Sequence, residues 1–236
     1  RSFSFTEQNL FDEVAQLGII TVAAAGNNGR QRSFYPASYD NVISVGAVNI
    51  NRERAFYSNY HSTLDIVAPG GDSSTNDING DGAPDMILST NGDDSSGRIL
   101  TSYAQFEGTS MAAPHVAGVI ALMKSVYPDL SHAQFMSLLE AGEISDDLGD
   151  ADRDDEYGWG LLNALKAVGA AQELAGGTSI ANNPLLVVNP ATINFGATAS
   201  QLPLEVFNGG GGELLVSDLS ASEAWVDIAT VSSSGD

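Results

Sequence analysis

Apolar positions along the chain fall into two kinds of run, one spaced for helices and one continuous. Between Thr6 and Leu17, the residues Leu10, Val14 and Leu17 recur at helical spacing, with Thr6 placed to cap and Gly18 to stop, which predicts a surface helix. From Ile19 to Gly26 the run is continuously apolar rather than alternating, the pattern of a strand covered on both faces by helices. Val42 to Val48 and Leu64 to Ala68 repeat it, so a parallel sheet is expected. Met111 to Tyr127 is apolar around most of its circumference and predicts a central helix. Ser131 and Gln134 offer a capping box for a helix to about Ala141, and a last helix fits Leu161 to Leu174, ended by Gly176-Gly177. The fold class read from this order is α/β, a parallel sheet flanked by helices, over residues 1–175.

The pattern changes after the double glycine. Residues 176–236 carry short β-type segments, Leu185 to Val188, Thr192 to Phe195 and Leu202 to Phe207, separated by Asn-Pro and by the Gly209 to Gly212 run. This predicts the start of an all-β, Ig-like sandwich. Such a sandwich takes about 100 residues, so its other strands are expected beyond Asp236. The opening Arg1-Ser2-Phe3-Ser4 likewise reads as the middle of a longer chain.

Charge and composition narrow the function classes. Lys+Arg number 9 against Asp+Glu 30, a net charge of -21, so the surface repels nucleic acid and anionic membranes while admitting cations. That excess equally fits simple solvation of the surface. Cysteine is absent, which excludes disulfides and thiolate metal sites. No stretch approaches the roughly 20 apolar residues of a membrane helix, and no signal-peptide pattern opens the chain.

The run Gly108-Thr109-Ser110-Met111-Ala112-Ala113-Pro114-His115-Val116-Ala117-Gly118 carries candidate chemistry. A serine in the first turn of a buried helix has a backbone N–H without an intrahelical partner, and it faces outward at the positive end of the dipole. Small neighbours at Gly108, Ala112 and Ala113 let a substrate backbone approach, and Pro114 is tolerated in the first turn. Locally the same run also fits a serine-capped core helix. Upstream, Ala24-Ala25-Gly26-Asn27-Asn28-Gly29 follows a buried strand; by itself Asn27 fits either a polarising amide or an ordinary turn residue.

Taken together these runs resemble the subtilisin-like serine peptidases. Residues 108–118 match the nucleophile motif G-T-S-M-A-x-P-H-V-A-G, and Ala24 to Gly29 is similar to the oxyanion segment. Tyr35-Pro36-Ala37, Phe56-Tyr57-Ser58, Asp65 to Gly70 and Glu156 to Ala164 follow in the order of that family, so the resemblance covers about Phe5 to Leu174. It implies that Ser110 is the nucleophile and that Asn27 donates to the oxyanion. It also implies that Ala23, Ala24, Gly26, Phe34, Gly108 and Thr109 line the substrate. Phe34 is bulky for a pocket floor; it either narrows the pocket against aromatic side chains or packs beneath the loop.

The D-x-G and H-G-T segments that carry the aspartate and histidine of that family are absent here. The resemblance makes His115 a packing residue directed toward the core, while His61 and His132 read as solvated surface. The base is therefore expected from a segment preceding Arg1, which becomes a required partner, and the isolated chain should be almost inert. The implied function is a secreted, bacterial serine endopeptidase acting on proteins or peptides through an acyl-enzyme on Ser110. The alternative is a subtilisin-fold binding or surface-anchored protein without catalysis.

Outside those motifs, Asp77-Ile78-Asn79-Gly80-Asp81-Gly82-Ala83-Pro84-Asp85 sets oxygen side chains at alternate positions. Asp77, Asn79, Asp81 and Asp85 are thus candidate ligands for a structural Ca²⁺, although Leu88 stands where the full helix-loop-helix signature has Glu. A solvated Asn-Gly/Asp-Gly turn fits the same residues. A second acidic cluster, Asp146, Asp147, Asp150, Asp152, Asp154 and Asp155, reads as an exposed loop.

Overall fold

The computed structural model describes residues 2–75, 77–95 and 97–177, and beyond them the backbone of two short strands. The chain divides into two compact units, Arg1–Ala181 and Asn182–Asp236.

The first unit opens with helix α1 (Phe5–Gln16), whose N-cap is Ser4 and not Thr6. Ser4 is in extended backbone and its hydroxyl accepts from the Glu7 N–H, whereas Thr6 already lies inside the first turn. Strands β1 (Thr21–Ala24), β2 (Val42–Val48) and β3 (Ile66–Pro69) follow, paired in parallel through Thr21 with Val42 and Val45 with Ile66. A hairpin of β4 (Ile87–Asp93) and β5 (Leu100–Phe106) then leads into helix α2 (Thr109–Val126). Helix α3 (His132–Glu140), strands β6 (Ser145–Asp146) and β7 (Leu161–Leu162), and helix α4 (Ala164–Leu174) complete the unit. The main sheet has the order β1-β2-β3-β7-β6, parallel except for β6 against β7.

Every residue of β2 is buried, as its unbroken apolar run requires. Ile43, Val45 and Ala47 on one face of β2 join Ile66 and Ala68 of β3 against Ala112, Val116, Ile120 and Met123 of α2. Phe135 and Leu139 of α3 and Ala167 of α4 extend that core. Each such large side chain contributes about 1.5–3 kcal/mol by leaving water. The opposite face is covered differently from the expectation of helices: Val48 and Val67 pack with Leu148, Tyr157 and Leu161. Strand β1 is half-buried, and α2 is buried along one side only, with Leu122 51% exposed on the other. The α3 capping box is present as expected, Ser131 and Gln134 each accepting from the other's backbone N–H. Leu161–Leu162 is a strand and not the start of α4, because Asn163 caps that helix by accepting from the Lys166 N–H.

Since β1, β2 and β3 run parallel, their carboxyl ends share one edge of the sheet, the edge on which ligands gather in open α/β sheets. Two hydrogen bonds bring the amino end of α2 to that edge. Gly108 N–H donates to Gly70 O beyond β3 (2.9 Å), and Thr109 N–H donates to Asn27 Oδ1 beyond β1 (2.9 Å).

In the second unit, β8 (Leu186–Asn189) pairs antiparallel with β9 (Glu205–Asn208). The expected Thr192 to Phe195 strand lies outside the described residues. Among the described residues no helix is long and apolar enough to cross a membrane.

Candidate active site

Gly108 is the N-cap of α2, with φ 145 and no side-chain cap. A Cβ there would lie 3.2 Å from Asn27 Nδ2, so glycine serves both the backbone angle and the approach of that amide. Thr109 is buried and gives two bonds to one atom: its N–H (2.9 Å) and its Oγ1–H (2.7 Å) both donate to Asn27 Oδ1. Its Oγ1 also accepts the Gly26 N–H at 3.1 Å. A backbone N–H can only donate, so the oxygen of the Asn27 amide is the end held by Thr109. The Nδ2 end is left beside Gly108, on an exposed residue. Ser110 follows directly and is exposed; first-turn N–H groups have no intrahelical acceptor. The two residues singled out by the motifs, 83 positions apart, are thus brought to one point through Thr109.

Two further residues organise this point, and the sequence motifs do not reveal their roles. The buried Tyr57 hydroxyl accepts the Gly108 N–H at 2.9 Å and faces the Gly70 and Gly71 carbonyls as donor. Burial pushes its phenol well above the usual range, with Glu107 and Asp72 adding to the shift against the Gly108 N–H. Asn59, 1% exposed, donates from Nδ2 to Ala25 O (3.0 Å) and accepts at Oδ1 from Asn28 N–H (3.0 Å) and Arg30 N–H (3.3 Å). It thereby shapes the turn carrying Asn27. The Phe56-Tyr57-Ser58 run and the polar stretch 57–63 signal them in the sequence, and neither says what they hold.

The histidines depart from expectation. His115 is exposed on α2 instead of packing inward, and its Nδ1 lies 2.8 Å from Met111 O on the same helix. Position 115 lies at the flank of the face that Ala112, Val116 and Met123 turn toward the core, far enough round the helix to be exposed. His61 is half-buried and not solvated, held near Ser33, Ser62 and Thr63. His132 is also half-buried; desolvation lowers its pKa, and its Nε2 is a buried atom without a partner. No hydrogen bond among the described residues joins a histidine to Ser110.

Ala23 and Ala24 lie in β1 opposite Ser44 and Val45, and Gly26 follows with φ 100. A Cβ at Gly26 would meet Asn59 Nδ2 at 2.5 Å and the Phe34 ring at 3.2 Å, so Phe34 stands against the turn that carries Asn27. The ring also lines a small cavity with Ala25, Ser44, Asn59, His61 and Leu64.

The acidic loop lies between Asp72 and β4. Asp77 accepts from Asp81 N–H (2.9 Å) and Gly82 N–H (2.9 Å), and Asn79 Oδ1 accepts from Asp81 N–H (3.0 Å). Asp81 Oδ1 accepts from Ala83 N–H (2.9 Å). Asp85 is 7% exposed; its Oδ2 accepts from Ile78 N–H (2.7 Å) and its Oδ1 is buried without a partner. Among the described residues no three histidine, cysteine or acidic side chains are gathered as a metal cluster. In the second acidic cluster, Asp146 pairs with Lys166 at 2.9 Å, and Asp154 accepts from three backbone N–H groups, those of Asp150, Glu156 and Tyr157.

Comparison with known proteins agrees with this geometry. Alkaline elastase YaB from Bacillus sp. (strain YaB) is 38% identical over 165 residues, 70% of this chain and 36% of the relative. Subtilisin DY from Bacillus licheniformis is 38% identical over 160 residues, 66% of this chain and 49% of the relative. The chain therefore spans no more than half the length of these relatives. A solved protease from Pseudoalteromonas arctica superposes with a TM-score of 0.60 at 36% identity, covering 72% of this chain and 48% of that one. A lanthipeptide protease superposes with a TM-score of 0.56 at 27% identity, over 68% of this chain and 53% of that one. A model of the subtilase family matches residues 4–160, and with the nucleophile motif at the head of α2 the chain belongs to that family.

Proposed function

We propose that the complete protein is a secreted serine endopeptidase that hydrolyses peptide bonds in proteins, with Ser110 as its nucleophile. The observation that carries this reading is the fixed Asn27 amide: both Thr109 donors hold its oxygen, which leaves its nitrogen beside Gly108, two positions before Ser110. Ser110 Oγ attacks the peptide carbonyl, and a histidine oriented by an aspartate takes its proton. Both of those residues are supplied by a segment preceding this chain. The oxyanion accepts from the Ser110 N–H and from Asn27 Nδ2, donors that need no reorganisation as charge develops. Collapse of the tetrahedral intermediate breaks the C–N bond as the histidine gives its proton to the departing amine. Water then attacks the acyl-enzyme by the same route, releasing the acid and restoring the Ser110 hydroxyl. Secretion belongs to the same proposal and is carried over from the likeness to bacterial subtilisins.

A serine-directed fluorophosphonate tests the reading on the full-length protein. Stoichiometric labelling at Ser110, abolished by Ser110→Ala, is expected, together with hydrolysis of casein. Asn27→Ala should lower kcat by roughly 10²–10³-fold, the loss measured for such a donor in a relative. A folded full-length protein that neither labels nor cleaves is instead a subtilisin-fold binding protein.

Two narrower readings accompany it. Phe34, standing against Gly26, narrows the primary specificity pocket walled by Ala23, Ala24 and Gly26. Asp77, Asn79, Asp81 and Asp85 would hold a structural Ca²⁺, a hard cation suited to their oxygen donors, by turning inward from the backbone N–H groups they accept from here, since their carboxylates are not gathered in this structure. The partnerless buried Oδ1 of Asp85 supports that fit, since a buried carboxylate oxygen without a donor is costly unless a cation meets it.

A further inference from the structure

The two donors of the proposed oxyanion site stand on the turn after β1 and on the first turn of α2, two element ends that must be tied to each other to stay in place. The segment Tyr57-Ser58-Asn59 touches both. Its centre is anchored to the sheet: Ser58, fully buried, accepts the Ala47 N–H of β2 at Oγ (3.0 Å). On one side, the Tyr57 hydroxyl accepts from Gly108 N–H and faces the carbonyls of Gly70 and Gly71, tying the amino end of α2 to the turn after β3. On the other side, Asn59 uses its side-chain amide on Ala25 O, Asn28 N–H and Arg30 N–H, and its backbone N–H donates to Gly26 O at 2.9 Å. These bonds bracket Asn27. The carbonyl of Tyr57 adds a last tie, accepting the Gly29 N–H at 2.6 Å.

We propose that Tyr57 and Asn59 are positioning residues for the peptidase site. Tyr57 sets the helix end that carries Ser110, Asn59 sets the turn that carries Asn27, and one sheet-anchored segment keeps the two donors in register. The inference rests on the peptidase reading above. Glycines leave room for both side chains: a Cβ at Gly26 would strike Asn59 Nδ2 at 2.5 Å, and one at Gly70 would meet the Tyr57 hydroxyl at 2.9 Å as well as the Ala47 Cβ. Side-chain amide and phenol thus take space that a methyl group would fill.

The test uses the full-length protein with Tyr57→Phe and Asn59→Ala, each alone and combined with Asn27→Ala, all rates normalised to titrated Ser110 sites. Each single change should lower kcat roughly tenfold or more, because small misplacement of a reacting group is expensive, while KM stays within about twofold. Tyr57→Phe keeps the ring, and Gly108 N–H retains Gly70 O as acceptor, so the variant folds. Asn59→Asp, which keeps both Oδ1 acceptor bonds, should recover part of the loss if Asn59→Ala folds poorly. The double variants separate the roles: with Asn27 already alanine, Asn59→Ala should cost nothing further in kcat, whereas Tyr57→Phe should cost as much as before. Wild-type kcat in either single variant, or full additivity of Asn59→Ala with Asn27→Ala, overturns the proposal. Absence of cleavage by the unaltered full-length protein would sink the peptidase reading itself, a different failure.

Discussion

Asn27 has one free hydrogen-bonding end because Thr109 occupies the other with two donors. An amide held in this way does not choose its orientation when charge appears, which is what gives such a donor its value in a transition state. Ser110 and Asn27 were legible in the sequence because each sits inside a contiguous run. The roles of Tyr57 and Asn59 are not legible there, although Tyr57 sits in the Phe56-Tyr57-Ser58 run, since their bonds span 51 and 34 residues and no local pattern says what they hold. His115 differs from expectation for a related reason: its motif places it on α2, but only the packing of that helix shows that the flank beside Ala112 and Met123 is exposed. Phe34 gives the residue-scale prediction. With its ring 3.2 Å from where a Gly26 Cβ would stand, small side chains should be preferred at the primary subsite in a peptide library. Phe34→Gly should extend cleavage to Phe and Tyr, and an unaltered enzyme that already prefers Phe or Tyr would refute the narrowing.

At the level of elements, the legible parts were those with a buried face. The unbroken run of β2 and the Ser131/Gln134 box of α3 appear as the sequence indicates, because core contact and capping chemistry both leave local marks. Strand β5 left none, since Leu100, Thr101, Ser102 and Tyr103 are all exposed and no alternation separates a core side from a solvent side. Strand β7 was absorbed into the helix that follows because its two leucines continue that helix's apolar phase. The loop before β4 carries its own prediction. Asp72 N–H donates to Asp85 O at 3.0 Å, closing the loop at its base, so an ion bound by Asp77, Asn79, Asp81 and Asp85 would brace the root of the hairpin. Calcium at about 100 times its Kd should stabilise by about 2.7 kcal/mol, read as a rise in Tm that a chelator reverses. Asp77→Ala should remove the calcium response; a Tm indifferent to calcium in the unaltered protein contradicts the site.

Across the whole molecule, a net charge of -21 makes the surface strongly negative, and the first unit places its strand ends, turns and the amino end of α2 at one edge. The subtilase match covers residues 4–160, whereas β8 and β9 belong to a separate unit whose function rests on nothing in the peptidase site. On the proposed reading, catalysis would belong to the full-length protein, because a base, its carboxylate and Ser110 act as a unit and one member alone achieves little. The central claim is that Ser110 N–H and Asn27 Nδ2 converge on a single oxygen. It is tested most directly by a crystal structure of the full-length protein inactivated with a peptidyl phosphonate at Ser110. The phosphoryl oxygen should lie about 2.7–3.1 Å from both nitrogens. An oxygen turned to solvent, with Asn27 Nδ2 out of hydrogen-bond reach, would contradict the account.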